Sequence, residues 1–325
     1  MRALAVSLLP FLLLAGCSGG DPEEPGDGSG GGPTTGPHGQ HAAAGHLLAP
    51  EWQVGDYWSL QSPQGGSFTH AVSGESGTDW VMDTDNADTA FFDAASDISF
   101  LGKVRKSDLA GSQGDTRVEF LKFPLQSGMS WTTTWDGAST MIHVGEVAGG
   151  KAELTAMRAD GTTYAEYTYS DAAGYFSHFA FYSPDGSEVG YEWSLQKSGS
   201  AFGGQLVRWS LVDLYSTSGP IPSGKGDTFT VEPGFTDVYV TAALDCTSGA
   251  VSVAAGPPTG PAEDRGYSVQ GACPLQDNAQ YSLPAPTQQE NWGGLIGTAP
   301  STTGTLELHI YGRTQAQFTV GDAPS

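Results

Sequence analysis

From Glu51 onward the chain alternates apolar and polar residues with a period of two, in short runs broken by Gly, Asp, Asn and Ser. This periodicity constrains the fold more than any other feature of the sequence. Successive side chains on a strand point to opposite faces, so a period of two builds a sheet, whereas a helix needs an apolar stripe recurring every 3.6 residues. Trp52, Val54, Trp58 and Leu60 share one parity and Gln53, Ser59 and Gln61 the other, the pattern of a half-buried strand. Further on, Ala165, Tyr167 and Tyr169, then Phe179 and Phe181 with Tyr182, then Tyr191, Trp193 and Leu195 mark three aromatic-rich strands. Turn-forming residues at 171–174 and 183–186 separate them, which predicts an antiparallel meander. No segment carries a sustained helical stripe, and the best helical candidate, Asp88 to Ser99, is short. The expectation is an all-β protein.

Residues 216–224, Ser-Thr-Ser-Gly-Pro-Ile-Pro-Ser-Gly, form the clearest interior boundary. They divide an antiparallel β domain at 51–218 from a smaller β-sandwich domain at 225–321. In the second, Phe229-Val231, Val238-Val240, Val251-Val253, Tyr267-Val269, Leu306-Leu308-Ile310 and Phe318-Val320 recur at sandwich spacing. Cys246 and Cys273 both fall there, and in an exported chain an even pair within one domain is most simply a disulfide.

Export is read from the first residues. Arg2 precedes an apolar run from Ala3 to Ala15, the length of a secretory signal core and too short to span a bilayer. The run ends in Leu14-Ala15-Gly16-Cys17, which resembles the prokaryotic lipobox. That resemblance implies that residues 1–16 are removed, that Cys17 carries the lipid, and that the protein is held at the cell membrane or outer membrane on its extracytoplasmic side. Two acyl chains suffice for stable anchoring where one does not. Residues 17–50, beginning SGGDPEEPGDGSGGGPTTGP after the cysteine, have no apolar periodicity and read as a tether spanning about 30 Å on average. Within it His38, His41 and His46 lie close enough to chelate a transition metal, an alternative to an incidentally His-containing linker.

The segments WQVGDYW, FPLQSGMSW at 123–131, and the late hairpin with AGYF and VGYEW resemble secreted lipoproteins with a strongly curved, half-barrel-like antiparallel sheet, similar to the LolA/LolB group. The resemblance implies a concave apolar face for a lipid tail or a partner segment. The frame from FTVEPGFTDVYV to GTLELHIYG resembles prepeptidase-C-terminal or jelly-roll accessory domains, which implies a non-catalytic module.

Catalytic and cofactor motifs are absent or out of context, so no cofactor is expected. Gly26 to Gly31 matches G-x-G-x-x-G inside the tether, with neither strand nor helix around it. Gly219 to Lys225 begins a phosphate-binding loop, but Gly226 stands where a Ser or Thr must hold Mg²⁺. Ser194 to Lys197 fits S-x-x-K but sits in an alternating strand instead of at a helix start. Asp83, Asp85, Asp88, Asp93 and Asp97 offer hard oxygens for calcium, yet Ala94 falls where an EF-hand needs its bidentate Glu.

Charge removes a further class. Against 36 acids the chain has 13 bases, a net −23 spread over both domains: 22 acids to 9 bases in 51–219, and 10 to 3 from 220 onward. A polyanion without a basic patch gains nothing from counterion release, so nucleic acid is excluded as a partner. Three readings follow. The first is a non-catalytic lipoprotein that binds a protein partner, a glycan or an apolar ligand. The second is an exported hydrolase with a β-sandwich accessory domain. The third is weak metal capture by His38, His41 and His46. A glycan reading for the second domain leans on Trp292 and Tyr311.

Overall fold

The computed structural model describes residues 45–63, 66–86, 101–113, 116–135, 137–183, 185–221, 225–257, 266–298 and 301–322. Cys17, His38, His41, the tether up to residue 44, Asp88, Asp93, Asp97 and the helical candidate at 88–99 lie outside them. The described residues contain no helix, and every strand pairing among them is antiparallel, in sheets that do not close into a barrel. Two compact units emerge. Unit 1 runs to Arg208 and resumes at Gln317, and unit 2 is Trp209–Ala316.

Unit 1 contains β1 (Tyr57–Gln61), β2 (Ser67–Ser76), β3 (Asp79–Thr84), β4 (Gly102–Arg105), β5 (Gly111–Gln113), β6 (Thr116–Val118), β7 (Ser130–Trp135), β8 (Ala138–Ala148), β9 (Lys151–Arg158), β10 (Thr163–Ser170), β11 (Tyr175–Tyr182), β12 (Val189–Gly199) and the start of β13 (Gln205–Pro220). Their order is β13-β3-β2-β1-β12-β11-β10-β9-β8-β7, with β4 to β6 branching from β3. The three aromatic strands are β10 to β12, and the meander is as the alternation predicts. Register carries one inward row across five strands: Val144, Leu154, Tyr167, Phe179 and Trp193 are successive partners. Tyr167 stacks on Phe179 at 4.7 Å between ring centroids, and Phe179 on Trp193 at 5.5 Å. Such cross-strand aromatic pairs stabilise a sheet by about 0.5–1.5 kcal/mol beyond their burial.

Two departures from simple alternation have physical causes. Val54 is exposed, because strand β1 begins only at Tyr57 and the chain before it turns at Gly55, whose φ of +97° suits glycine. In β2, by contrast, every residue from Phe68 to Ser73 is buried. The outer side of that strand is covered as well: Ala71 packs with Leu206 and Phe318, beside Tyr57, Phe202 and Val320. Under the same cover, the Arg208 guanidinium forks onto Asp83, which also accepts the Ser73 hydroxyl.

Unit 2 is a β-sandwich. The rest of β13 joins β14 (Lys225–Val231), β15 (Asp237–Ser248), β16 (Ala250–Gly256), β17 (Tyr267–Ala272), β18 (Leu275–Pro284), β19 (Glu290–Thr298) and β20 (Thr303–Thr319). One sheet runs β18-β15-β20-β13 and the other β14-β19-β16-β17. Val238, Val240, Leu244, Leu306, Leu308 and Ile310 from the first meet Phe229, Val231, Val251, Val253 and Trp292 from the second in a single core. Ser216 to Pro220 continue β13 as strand, and the change of unit falls at Trp209, inside β13. Cys246 and Cys273 are bonded, their Cα atoms 5.5 Å apart. The bridge ties the end of β15 to the point where the chain leaves one sheet for the other.

The disulfide closes a loop of 27 residues. Converting both cysteines to Ser should lower the unfolding free energy of unit 2 by about 3.5 kcal/mol, read from urea denaturation. Equal midpoints with and without the bridge would show that it adds no constraint.

Candidate functional site

The aromatic face of the unit 1 sheet is where the resemblance to curved-sheet lipoproteins implies a concave apolar face, and the chain packs against it. Leu101, Val104, Leu109, Val118, Phe120 and Leu121, all from the stretch between β3 and β7, pack against it. Trp52 and Trp58 lie over the β10–β11 turn and donate their indole N–H groups to the carbonyls of Gly174 and Ala173, at 2.8 and 2.7 Å. Among the described residues an opening of about 20 Å³ is lined by Trp52, Val104, Leu109, Phe120, Tyr175 and Phe176, room for roughly one water molecule.

Few polar groups enter this interior. The Tyr167 hydroxyl donates to the Phe120 carbonyl at 2.8 Å, and burial raises its pKa well above the ordinary phenol value. Burial also raises Tyr169, with Asp171 adding to the effect. His70 is fully enclosed by Phe68, Tyr175 and Trp193. Its Nδ1 shares a 2.9 Å hydrogen bond with the Tyr175 hydroxyl, and its Nε2 has no partner among the described residues. Desolvation lowers its pKa to about 3. This imidazole is therefore neutral at physiological pH and walled off from any substrate. Nothing in the sequence pattern singles it out except its parity, which places it inward with Phe68 and Val72.

The residues singled out in the sequence are scattered. Asp83 is bound by Arg208 and Ser73, and Asp85 accepts the backbone N–H of Thr69 at 2.6 Å, so both are occupied structurally. His46 is exposed, one residue before the Leu47–Leu125 bridge that begins the folded body. Among the described residues no three His, Cys, Asp or Glu side chains are grouped to hold a metal. Ser194 and Lys197 lie on β12, with the Lys197 ammonium 5.8 Å above the Tyr57 ring. Gly219 lies in β13, and the chain after Lys225 is strand β14 where a phosphate loop needs a helix.

Trp292 and Tyr311 part company. Trp292 is paired with Phe229 and buried in the sandwich core, its indole N–H directed to Glu290 at 3.1 Å. Tyr311 has the other parity on β20 and lies on the outer face of the sheet. There β15 and β20 pair Tyr239 with Tyr311, Thr241 with His309, Ala243 with Glu307, and Asp245 with Thr305. The His309 and Tyr311 rings are parallel at 5.8 Å, and His309 Nε2 lies 3.1 Å from Glu307 Oε1. At one end of this face Arg313 is clamped: it pairs with Asp237, donates to Ser282 at 2.9 Å, and sits between the Trp209 and Tyr239 rings at 4.4 and 5.1 Å. Burial raises the Tyr239 hydroxyl to about 12.

The chain matches no protein-family model and no curated protein. Among solved structures it is similar to a glycoside hydrolase family 43 arabinoxylan arabinofuranohydrolase from Bacillus subtilis, at 10% identity and TM-score 0.19 over 77% of this chain and 64% of that one. An exo-β-1,3-galactanase from Phanerochaete chrysosporium is similar at 9% identity and TM-score 0.17, over 75% and 65%. The VP2 subviral particle of infectious bursal disease virus is similar at 10% and 0.18, over 89% and 76%. The chain spans less than two thirds of the length of the two hydrolases. Likenesses at this level fix neither topology nor activity.

His70 makes acid the weak side of unit 1. The unfolded imidazole takes up a proton near pH 6.5 and the folded one only near pH 3, so the unfolded state binds more protons between those values. Stability should be full above pH 6.5 and fall on acidification, by up to ~1.4 kcal/mol per pH unit from this group. The difference in unfolding free energy between wild type and His70→Leu should therefore change between pH 7 and pH 4. A constant difference would show that the ring titrates normally.

Proposed function

We propose that the protein is a lipid-anchored, extracytoplasmic binding protein, attached through Cys17 and held off the bilayer by residues 17–50, whose β units present preformed surfaces instead of a reaction centre. The observation that carries this reading is the filled aromatic face of unit 1: its own Leu109, Phe120 and Leu121 occupy the position of a ligand and leave about 20 Å³. A hydrolase needs a cleft where two polar groups with opposed pKa values converge. In the interior of unit 1, the groups moved furthest from their ordinary values are His70, Tyr167 and Tyr169, all displaced by burial among aromatic rings. Rigid, prepacked sheets suit binding, because a surface that is ordered before contact loses little entropy on association. The acidic excess spread over both folded domains repels anionic headgroups, so the anchor rather than surface attraction keeps the body at the membrane.

Cells expressing the protein and fed labelled palmitate should incorporate label into the wild type and none into Cys17→Ala, which should leave the membrane fraction. Label retained by Cys17→Ala would overturn the anchor. Purified protein should leave ester, peptide and glycoside substrates intact. Hydrolysis abolished by a single Asp or Ser substitution would replace the binding reading with the hydrolase one.

A further inference from the structure

We propose that the outer face of β18, β15 and β20 in unit 2 is a binding site for a neutral polysaccharide, with His309 and Tyr311 as its ring platform and Glu307, Asp245 and Asn278 as its hydroxyl partners. This deepens the binding reading above and rests on it.

The placement follows from strand parity. Val238, Val240 and Leu244, with Leu306, Leu308 and Ile310, turn into the sandwich core, which leaves their alternates on the opposite face. Those alternates form aligned rows: Ser282, Tyr239 and Tyr311; Asn278, Ala243 and Glu307; Gln276, Asp245 and Thr305. Two parallel rings, His309 and Tyr311, stand on this face. His309 and Glu307 are 26% and 33% exposed, and Asn278, Gln276 and Asp245 are exposed.

A second stack begins at Tyr239, the cross-strand partner of Tyr311. Tyr239, Arg313 and Trp209 are layered, and Arg313 is locked by Asp237 and Ser282. A pyranose ring carries C–H bonds on its faces and hydroxyls around its rim, so it fits flat rings bordered by carboxylates and amides. Those rim hydroxyls donate to the carboxylates of Glu307 and Asp245 and exchange hydrogen bonds with the Asn278 amide.

Two observations select the polymer. Net charge of −23, with two carboxylates on the face itself, opposes anionic chains of any kind. A protein interface of ordinary type centres on buried apolar anchors. The exposed large aliphatic side chains among the described residues are Leu48, Val54, Met141, Val189 and Val212, and none lies on β15, β18 or β20.

The test is affinity electrophoresis of the full chain in nonionic detergent, in native gels containing neutral glucan, xylan, mannan or galactan, and in gels containing alginate or pectate. The protein should be retarded by at least one neutral polymer and by neither acidic one. Tyr311→Ala and His309→Ala should each weaken retardation about tenfold or more, as loss of a central anchor does. Tyr311→Phe, which keeps the ring, should stay close to wild type, and Thr228→Ala on the opposite sheet should be silent. If an alanine variant melts early, Asn278→Ala at an exposed position and Glu307→Gln at a half-buried one decide, each with weaker retardation. Passage through every neutral gel, retardation by the acidic polymers alone, or retardation indifferent to all four positions would overturn the site. A cross-linked protein partner lost with these substitutions while no neutral polymer retards the chain would also overturn it, and would leave the binding reading in place.

Discussion

Unit 1 depends on one long-range pairing. Strands β7 to β12 are joined by tight turns and pair locally, as do β1 to β3, but these two groups become one sheet only because β12 returns to lie beside β1. Tyr57 then faces Gly199 and Gln61 faces Ser194. The join is reinforced at its end, where Ser200 donates to Asp56 at 2.8 Å and the Phe202 N–H reaches the Gly55 carbonyl at 2.9 Å. The indoles of Trp52 and Trp58 reach across to the β10–β11 turn. Closing so long a loop costs entropy before any contact repays it, which makes this a fold of high contact order.

The chain has few cations, and the arginines among them are placed with care. Arg208 holds Asp83 under the cover of β2, Arg117 holds Asp79, Arg313 holds Asp237, and Arg158 lies over the Tyr164 ring at 3.5 Å. Each neutralises or caps a site that burial would otherwise make costly. Asp56 and Asp171 are buried as well: Asp56 accepts the Ser200 hydroxyl, and Asp171 lies near Tyr169. An acidic surface over a largely aromatic interior follows, and the buried carboxylates of Asp83, Asp79 and Asp56 are held by an arginine or a hydroxyl.

Much of this architecture is legible in the residues. In β7, Trp131, Thr133 and Trp135 alternate with exposed neighbours, and in β9 Ala152, Leu154 and Ala156 do the same. For these strands alternation suffices, because only one face is covered. It fails for β2, where Thr69, Ala71 and Ser73 are buried as well, Ala71 by Leu206 and Phe318 from more than a hundred positions away. Parity also could not say what covers the aromatic face, since Val104, Leu109 and Phe120 come from a stretch without a strong period. In unit 2 the disulfide was readable from an even pair of cysteines within one domain. Whether Trp292 points inward or outward was not, for it depends on the register that sets it against Phe229. The outer-face rows that join His309 and Tyr311 to Asn278 and Asp245 exist only once three strands from separate parts of the sequence are aligned.

The last strand ends in a different unit from the one in which it begins. β20 lies mostly in unit 2, but from Gln317 the chain belongs to unit 1, where Phe318 and Val320 close over Ala71 and Leu206. Unit 1 is therefore begun before unit 2 is synthesised and completed only after it. While the ribosome is still making the sandwich, Ala71 and Leu206 remain uncovered and β2 is an incompletely buried strand. A chain with this order of events must keep its early sheet from pairing elsewhere until Phe318 and Val320 arrive, and a stop at Gln317 would injure unit 1 while leaving Trp209–Ala316 whole.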